Sequence, residues 1–210
     1  MIKALIFDYN QVLADDLEAH KEAYKKAFEK FGLKLNDEEL LRVLHKTRNE
    51  KISYLKEKHG LQAENDHIFM EKEKEFFRIA KTKNFLFPGT EKALENLAKK
   101  YLLAVFTGTN IEQMLIPEKT SKLFKAIVTI KDYTKPKPDP EGLLKCIEKL
   151  GVPAKECAYI GDAPHDMTAA KAAGCTPIGK ATGTFSAKEL RKAGADIVIK
   201  DLKELLELKL

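Results

Sequence analysis

The 210-residue chain is long enough for one domain, or for one domain that carries an insertion. Its 37 Lys and Arg against 32 Asp and Glu give a net charge of +5, spread over amphipathic segments without a basic block interleaved with aromatic residues. This pattern argues against a nucleic-acid partner and leaves anionic small molecules as candidate ligands. The three widely spaced cysteines fit neither a CxxC site nor a disulfide framework, so we expect buried thiols in a reducing compartment.

The start of the chain carries a short apolar run, residues 2–7, that leads straight to a charged residue. This run is too short for a signal peptide, and no other stretch approaches transmembrane length. We therefore expect a cytoplasmic protein with no membrane partner.

Short apolar runs alternate with helical patterns along the chain. The runs are residues 2–7, 102–106, 126–130, 158–160, 176–178 and 197–199. Between them lie segments with apolar residues at three- and four-residue spacing, at 89–100, 139–151 and 165–174. Strands that alternate with helices form a parallel sheet through βαβ crossovers. The sequence thus predicts an α/β fold with a Rossmann-like three-layer α/β/α parallel-sheet core.

One region breaks this alternation. Residues 15–83 contain no convincing strand, only charged amphipathic helical segments at 17–32, 36–60 and 64–82. We therefore predict a core from residues 1–14 and 84–210 and an inserted α-helical cap domain from residues 15–83. Ligands of open α/β sheets bind outside the carboxyl ends of the strands, so we expect the insert, which follows the first strand, to act as a lid.

Polar residues accumulate where the predicted strands end. Asp8 follows the first predicted strand, and Thr107 follows the second. Asp162 and Asp166 follow the strand at 158–160. The segment "TKPKPDPEG" adds two lysines, Lys135 and Lys137. Taken singly, an Asp or Thr after a strand is more often a helix N-cap than a catalytic residue. Together, at one edge of one sheet, they form a set that chance rarely assembles.

This set fits phosphoryl transfer. Asp8 and Asp162 are hard oxygen ligands suited to Mg²⁺, which binds through one or two carboxylates and substrate phosphate. Asp8 could also attack phosphorus to give an aspartyl-phosphate. Thr107 and a lysine would hold the equatorial oxygens, over which the transition-state charge is spread.

The motifs resemble those of the haloacid dehalogenase superfamily of hydrolases, in its phosphoglycolate phosphatase and β-phosphoglucomutase-like subgroup with a helical cap. The segment "FDYNQVL" is similar to the first motif of the family and "VFTGTN" to the second. "KPKPDPEGLLKCIEKLG" is similar to the third and "YIGDAPHDMTAAKAAG" to the fourth. The resemblance runs over nearly the full chain and implies a Mg²⁺-dependent phosphatase of small phosphorylated metabolites, as a monomer or homodimer.

By position, the resemblance implies that Asp8 is the nucleophile and a metal ligand, and that Asn10 offers its backbone carbonyl to the metal. Thr107 and the backbone amides around Gly108 would bind phosphate. Asp162 would be a direct metal ligand, with Asp166 bonding to the waters of the metal or orienting the lysine.

The register of the third-motif lysine is ambiguous, because both "KPKP" and "KPDP" resemble the motif. Counting back from "EKLG" favours Lys137 over Lys135. In the predicted cap, His20 and Arg48 are candidates to face the substrate. Arg48 suits a carboxylate or a second phosphate, although a surface helix charge explains it equally well.

Asn10 departs from the family pattern, which has a second Asp at this position. That Asp protonates the leaving oxygen and later takes a proton from water, and an amide does neither near neutral pH. Gln11 also departs, standing where the family usually has Gly. Three interpretations stay open. The chain is a phosphatase slowed by the amide, or it performs a chemistry that needs no acid at this position, such as the less favoured 2-haloacid dehalogenation. In the third interpretation it is a phosphate-binding relative that is non-catalytic or trapped.

Overall fold

The apolar runs form a parallel sheet of six strands in a computed structural model that describes residues 1–44, 46–110 and 114–209. The strands are β1 (Ala4–Phe7), β2 (Leu102–Phe106), β3 (Phe124–Val128), β4 (Cys157–Gly161), β5 (Thr176–Lys180) and β6 (Ile197–Ile199). Every pair of neighbours is parallel, in the order β3-β2-β1-β4-β5-β6. This order is that of a Rossmann-like sheet, and it confirms the predicted α/β fold class.

Helices account for most of the remaining regular structure. They are α1 (Leu17–Glu29), α2 (Asp37–Leu41), α3 (Arg48–His59), α4 (Asn65–Ala80), α5 (Thr90–Leu97), α6 (Glu118–Ser121), α7 (Glu141–Leu150), α8 (Pro164–Ala173) and α9 (Ala187–Lys192). Within the described ranges, none is long and apolar enough to cross a membrane.

The sheet buries both of its faces at its centre. All four residues of β1 are fully buried, as expected for a parallel strand covered on both sides. Ala4 and Ile6 lie in one core cluster with Leu143 and Ile147 of α7 and Ala170 of α8. The unbroken apolar runs of the sequence are therefore the direct consequence of this two-sided burial.

The third strand is displaced from its predicted position. The sequence run at 126–130 predicted a strand there, but β3 begins at Phe124 and ends at Val128. The strand ends because Thr129 donates its backbone N–H and its hydroxyl to Asp132 Oδ2, at 2.7 and 3.0 Å. This turn leaves Ile130 at 44% exposure.

The chain divides into two compact units, one of Met1–Asp15 with Leu86–Leu210 and one of Asp16–Phe85, here called the helical unit. The helical unit contains α1 to α4 around a core that includes Phe28, Leu40 and Ile52. The segment 36–60, expected to be one helical stretch, forms two helices, because Thr47 starts α3 with a capping box to Glu50.

Candidate active site

Three candidate residues directly follow three neighbouring strands. Asp8 follows β1, Thr107 follows β2 and Asp162 follows β4. Sheet hydrogen bonds fix the first two, since Asp8 N–H donates to Ile160 O at 2.8 Å and Thr107 N–H donates to Val128 O at 3.0 Å. The strand order reverses between β1 and β4, which is where open α/β sheets bind ligands. The topology thus gathers side chains that are more than 50 residues apart in sequence.

The carboxylates of Asp8, Asp162 and Asp166 form a cluster at this edge. One oxygen of each lies within 4.8 Å of those of the other two. Asp8 Oδ1 accepts the N–H of Tyr9 at 2.7 Å. Asp166, in the first turn of α8, accepts the N–H groups of Asp162 and Ala163 through Oδ2 at 3.2 and 3.0 Å. Three carboxylates at this spacing could hold a divalent cation.

Lys137 joins two of these carboxylates. Its Nζ donates to Asp8 Oδ2 at 2.9 Å and to Asp166 Oδ1 at 2.8 Å. Its side chain is 7% exposed. Lys135, by contrast, has a side chain that is 72% exposed, and its Nζ lies 3.9 Å from Asp139 Oδ2. Of the two lysines, the structure brings Lys137, which the sequence analysis favoured, to the carboxylates.

The pKa values of these groups follow from their burial and mutual contacts. Burial raises the pKa of Asp8 above its ordinary value, although Lys137 opposes this effect. Burial also disfavours the ionised form of Asp166, but Lys137, His165 and the N–H of Ala163 together outweigh burial and lower the pKa of that carboxyl. Burial disfavours the ammonium form of Lys137, yet Asp166 and Asp8 raise its pKa well above the usual range. The lysine is therefore protonated and Asp166 ionised at neutral pH.

Two residues at this site were missed by the sequence analysis. The hydroxyl of Tyr159, a fully buried residue of β4, accepts from Lys137 Nζ at 3.0 Å and donates to Asp166 Oδ1 at 3.1 Å. Gly183 packs against Asp162, because a Cβ built on it would lie 2.0 Å from Asp162 Oδ2. In the sequence, Tyr159 cannot be distinguished from the apolar residues of its strand. Gly183, which follows β5 closely, could have indicated a close approach of the backbone to a site residue.

Thr107 and Gly108 occupy the loop after β2. Thr107 is fully buried, and its Oγ1 accepts the N–H of Thr109 at 3.2 Å. The hydroxyl of Tyr133 donates to Thr107 O at 3.3 Å. Gly108 between them is exposed. Residues 111–113, which follow this loop, lie outside the described residues.

Asn10 is held by the same loop. Its Oδ1 accepts the hydroxyl hydrogen of Thr109 at 2.5 Å. The next residue, Gln11, has a φ of 57°, in the left-handed region that favours glycine. A glycine, the residue that the sequence resemblance leads us to expect at this position, adopts such a conformation without steric cost.

The two remaining candidates lie in the helical unit. His20 of α1 stacks on Phe76, with ring centroids 4.4 Å apart, and its Nε2 lies 3.5 Å from Asp16 Oδ2. Arg48 of α3 is 42% exposed in its side chain and pairs with Asp66 Oδ1 at 3.0 Å. Its guanidinium also covers the ring of Phe69, 4.4 Å from the centroid.

Comparisons with known proteins agree with this fold and identify a family. A model of the family described as haloacid dehalogenase-like hydrolase matches residues 5–180. A pyrophosphatase PpaX of Oceanobacillus iheyensis is 25% identical, over 98% of this chain and 95% of its own length. A phosphoglycolate phosphatase of Escherichia coli K12 is 28% identical over 61% of this chain, and the aligned part spans only 52% of that protein. The crystal structure of a hydrolase from Pseudomonas syringae, 25% identical, covers 98% of this chain and 96% of its own, with a TM-score of 0.81.

Proposed function

The chain belongs to the haloacid dehalogenase-like hydrolase family, and on that premise we propose that it is a Mg²⁺-dependent phosphatase of a small phosphorylated metabolite. It works through an aspartyl-phosphate at Asp8, acts in the cytoplasm, and is slowed by Asn10. The observation that carries this proposal is the cluster of Asp8, Asp162 and Asp166, joined by Lys137. Phosphatase activity also agrees with the names of the PpaX and phosphoglycolate phosphatase relatives.

The donor set fits a hard divalent cation. The carboxylates of Asp8, Asp162 and Asp166, with the backbone carbonyl of Asn10, would hold Mg²⁺, while Lys137 limits the repulsion among the carboxylates. When bound, Mg²⁺ supplies positive charge to the phosphoryl oxygens.

Asp8 supplies the nucleophile. One of its carboxylate oxygens forms a bond to phosphorus as the bond from phosphorus to the leaving oxygen breaks. Lys137, Thr107 and the amide of Gly108 donate to the phosphoryl oxygens and stabilise their charge. In the second step water attacks phosphorus, the Asp8–phosphorus bond breaks, and phosphate leaves.

Both steps move a proton that Asn10 does not carry. In the first step the leaving oxygen gains a proton, and in the second the attacking water loses one. Asn10 is an amide whose Oδ1 is engaged by Thr109, so it performs neither transfer. Loss of general acid–base help costs about 10²- to 10⁴-fold in rate. We therefore expect the preferred substrates to have leaving groups of low pKa, which depart without being protonated.

Asn10 also favours a second candidate function. A chain that forms the aspartyl-phosphate without hydrolysing it, or that binds phosphate without reacting, would serve as a phosphate-binding or regulatory relative. Dehalogenation is less favoured, because dehalogenases of this superfamily work without a metal, whereas this chain has three clustered carboxylates.

The first experiment is Mg²⁺-dependent phosphate release from p-nitrophenyl phosphate, whose leaving group needs little protonation. Phosphatase activity requires release by the parent and none by Asp8→Ala. Turnover by Asn10→Asp alone would support the phosphate-binding candidate. No turnover by either, with no binding of phosphate and Mg²⁺, would overturn the proposed site.

A matched pair of variants tests the lysine. Lys137→Met should lower kcat/KM for p-nitrophenyl phosphate by about 10²-fold or more, as expected when a charged group that contacts the transition state is removed. Lys135→Met, two residues away and exposed, should have a much smaller effect. An equal loss in the two variants would contradict the assignment of Lys137.

A further inference from the structure

Two of the three cysteines lie side by side at one end of the sheet. Ala158 of β4 is the register partner of Thr176 of β5, and the two strands are parallel. Cys157 and Cys175 each precede that pair by one residue, so the register places them opposite one another. Register partners of parallel strands project to the same face, and both cysteines belong to one core cluster. The thiol of Cys175 donates a hydrogen bond to the sulfur of Cys157.

The spacing of two neighbouring strands fits a disulfide. Such strands lie about 4.7–4.9 Å apart, and the Cα atoms of a disulfide usually lie roughly 4.4–6.8 Å apart. Both cysteines are free thiols. A bond between Cys157 and Cys175 therefore requires no movement of either strand.

Cys146 of α7 belongs to the same core cluster but is a different kind of thiol. It is fully buried, its Sγ donates to Val105 O at 3.7 Å, and burial raises its pKa to about 12. Within the described part of the chain, the three sulfurs do not all lie within 4.8 Å of one another, so they do not form a three-thiolate metal site. The pair, rather than all three cysteines together, is the reactive unit.

The pair lies near the surface, at the end of β4 opposite to the candidate active site. Cys157 begins β4, whereas Asp162 follows the end of that strand. Cys175 is 6% exposed and follows Gly174, which is exposed. The thiol of Cys175 lowers the pKa of Cys157, which increases the fraction of reactive thiolate at that sulfur. A small oxidant therefore meets a thiolate just beneath the surface.

We propose that Cys157 and Cys175 are a redox modification site, which a peroxide converts into a disulfide without rearrangement of β4 and β5. The Cys157 thiolate attacks one oxygen of hydrogen peroxide, the O–O bond breaks, and hydroxide leaves, so that Cys157 becomes a sulfenic acid. The sulfur of Cys175 then attacks that of Cys157, the S–O bond breaks, and water leaves with the proton of the Cys175 thiol. The hydroxide takes up the proton that Cys157 released. Two thiols and one peroxide thus give one disulfide and two waters.

The bridge would close a loop that carries two carboxylates of the candidate site. The segment 157–175 contains β4 and α8, with Asp162 and Asp166. Closing this loop reduces the conformational entropy of the unfolded chain, so the oxidised chain should be more heat-stable than the reduced chain. The inference does not depend on phosphatase activity.

The test is peptide mapping of the full chain after exposure to hydrogen peroxide, with free thiols alkylated before a tryptic digest without reductant. Cleavage after lysine places Cys157 in peptide 156–171, Cys175 in peptide 172–180 and Cys146 in peptide 146–149. We expect a disulfide-linked pair of the first two peptides, which separates on reduction, and an alkylated Cys146. A linkage that involves Cys146, or the absence of any linked peptide, would overturn the proposal.

Matched variants separate the pair from the third cysteine. Cys146→Ala should form the linked peptides as the parent does. Cys175→Ser keeps a hydroxyl that can donate to Cys157 but cannot form a disulfide, so Cys157 should be trapped there as a sulfenic acid by dimedone. Loss of the link in Cys146→Ala, or no trapping of Cys157 in Cys175→Ser, would contradict the proposal.

Differential scanning calorimetry tests whether the bridge fits the strands. The oxidised parent should melt about 6–12 °C above the reduced parent, as expected for a loop of this length in a chain of this size. Cys175→Ser should melt at the same temperature before and after peroxide. An oxidised parent that melts no higher than the reduced parent would show that the bridge strains β4 and β5, against the proposal.

Discussion

At the scale of single residues, the loop after β1 holds the two departures from the family pattern side by side. Asn10 is bonded by Thr109, and Gln11 has a left-handed backbone. The backbone of Gln11 is held in this conformation by Thr182 Oγ1, which donates to its carbonyl at 2.6 Å, and by its own N–H, which donates to Ala14 O at 2.7 Å. The loop geometry is therefore kept although the glycine is absent.

The strain at Gln11 is tested by comparing two variants that both remove its side chain. A left-handed conformation costs a residue with a Cβ about 1–2 kcal/mol, so Gln11→Gly should be more stable than Gln11→Ala by about 1 kcal/mol. Gln62 does not have a positive φ. There we expect Gln62→Ala to be more stable than Gln62→Gly, because glycine makes the unfolded chain more flexible. Urea unfolding of the four variants measures both differences. The same order at both positions would contradict a strained Gln11.

Lys51 gives a second prediction at this scale. Its pKa is about 7 in the folded protein, against about 10.4 in an unfolded chain. Between these values the unfolded state binds more protons, so the free energy of unfolding should rise with pH from about 7 to about 10. Lys51→Met should reduce this rise and leave only the part that is due to Lys72. At pH 6 the free energy of unfolding of Lys51→Met should exceed that of the parent by about 1–4 kcal/mol.

Urea unfolding at pH 6 and pH 9 measures the effect of Lys51→Met. The groups that face Lys51 are Lys72, His20 and the ring of Tyr24, and each stays in place in this variant. Lys58→Met, exposed on the same helix, should leave the pH dependence as in the parent. A parental pH dependence in Lys51→Met would show that the ammonium of Lys51 is not the group that titrates.

At the scale of elements, side-chain caps decide where helices begin. In α3, Thr47 Oγ1 accepts the N–H of Glu50, and Glu50 Oε2 accepts the N–H of Thr47 at 3.0 Å. The same arrangement of side chains begins α2 at Asn36 and α9 at Ser186. Because these bonds are local, the start of α3 depends on two residues more than on the packing of the helix.

Thr47→Ala should therefore lower the free energy of unfolding by about 1 kcal/mol, the usual cost of losing an N-cap. Thr47→Ser retains the hydroxyl and should stay close to the parent. Amide hydrogen exchange measures the local effect, which should be faster exchange in the first turn of α3. Equal stability of the alanine and serine variants would show that the cap contributes nothing.

At the scale of the whole molecule, the strand order determines which residues meet. Asp8 and Lys137 are 129 residues apart in sequence and 2.9 Å apart in space. The reversal of strand order between β1 and β4 produces this meeting, with Tyr159 of β4 beneath it. Binding of a cation at this point would stabilise the folded chain only.

Mg²⁺ should therefore raise the melting temperature of the parent. At 100 times its Kd, a ligand of the folded state adds about 2.7 kcal/mol to the free energy of unfolding. Asp162→Asn should lose most of the increase, and Asp196→Asn, at an exposed carboxylate outside the cluster, should keep it. Differential scanning calorimetry with and without Mg²⁺ decides between these outcomes. Equal increases in the two variants would contradict a metal site at Asp162.

The sequence by itself determined the α/β fold class and most of the residues gathered at the sheet edge. These are consequences of local pattern: unbroken apolar runs predict buried parallel strands, and polar residues at strand ends predict a site. The extent of β3 was predicted less well, because the side chain of Asp132 ends that strand through a turn that hydrophobicity does not reveal.

Only the tertiary structure decided which lysine meets the carboxylates, that Tyr159 joins them, and that Thr109 holds Asn10. The same holds for the placement of Lys51 and Lys72 over the ring of Tyr24. Each of these contacts joins residues from different elements. Such a contact forms only when the strand order and the helix packing bring the two elements together. Interactions summed over the whole chain determine that order and packing, so no short stretch of sequence contains them.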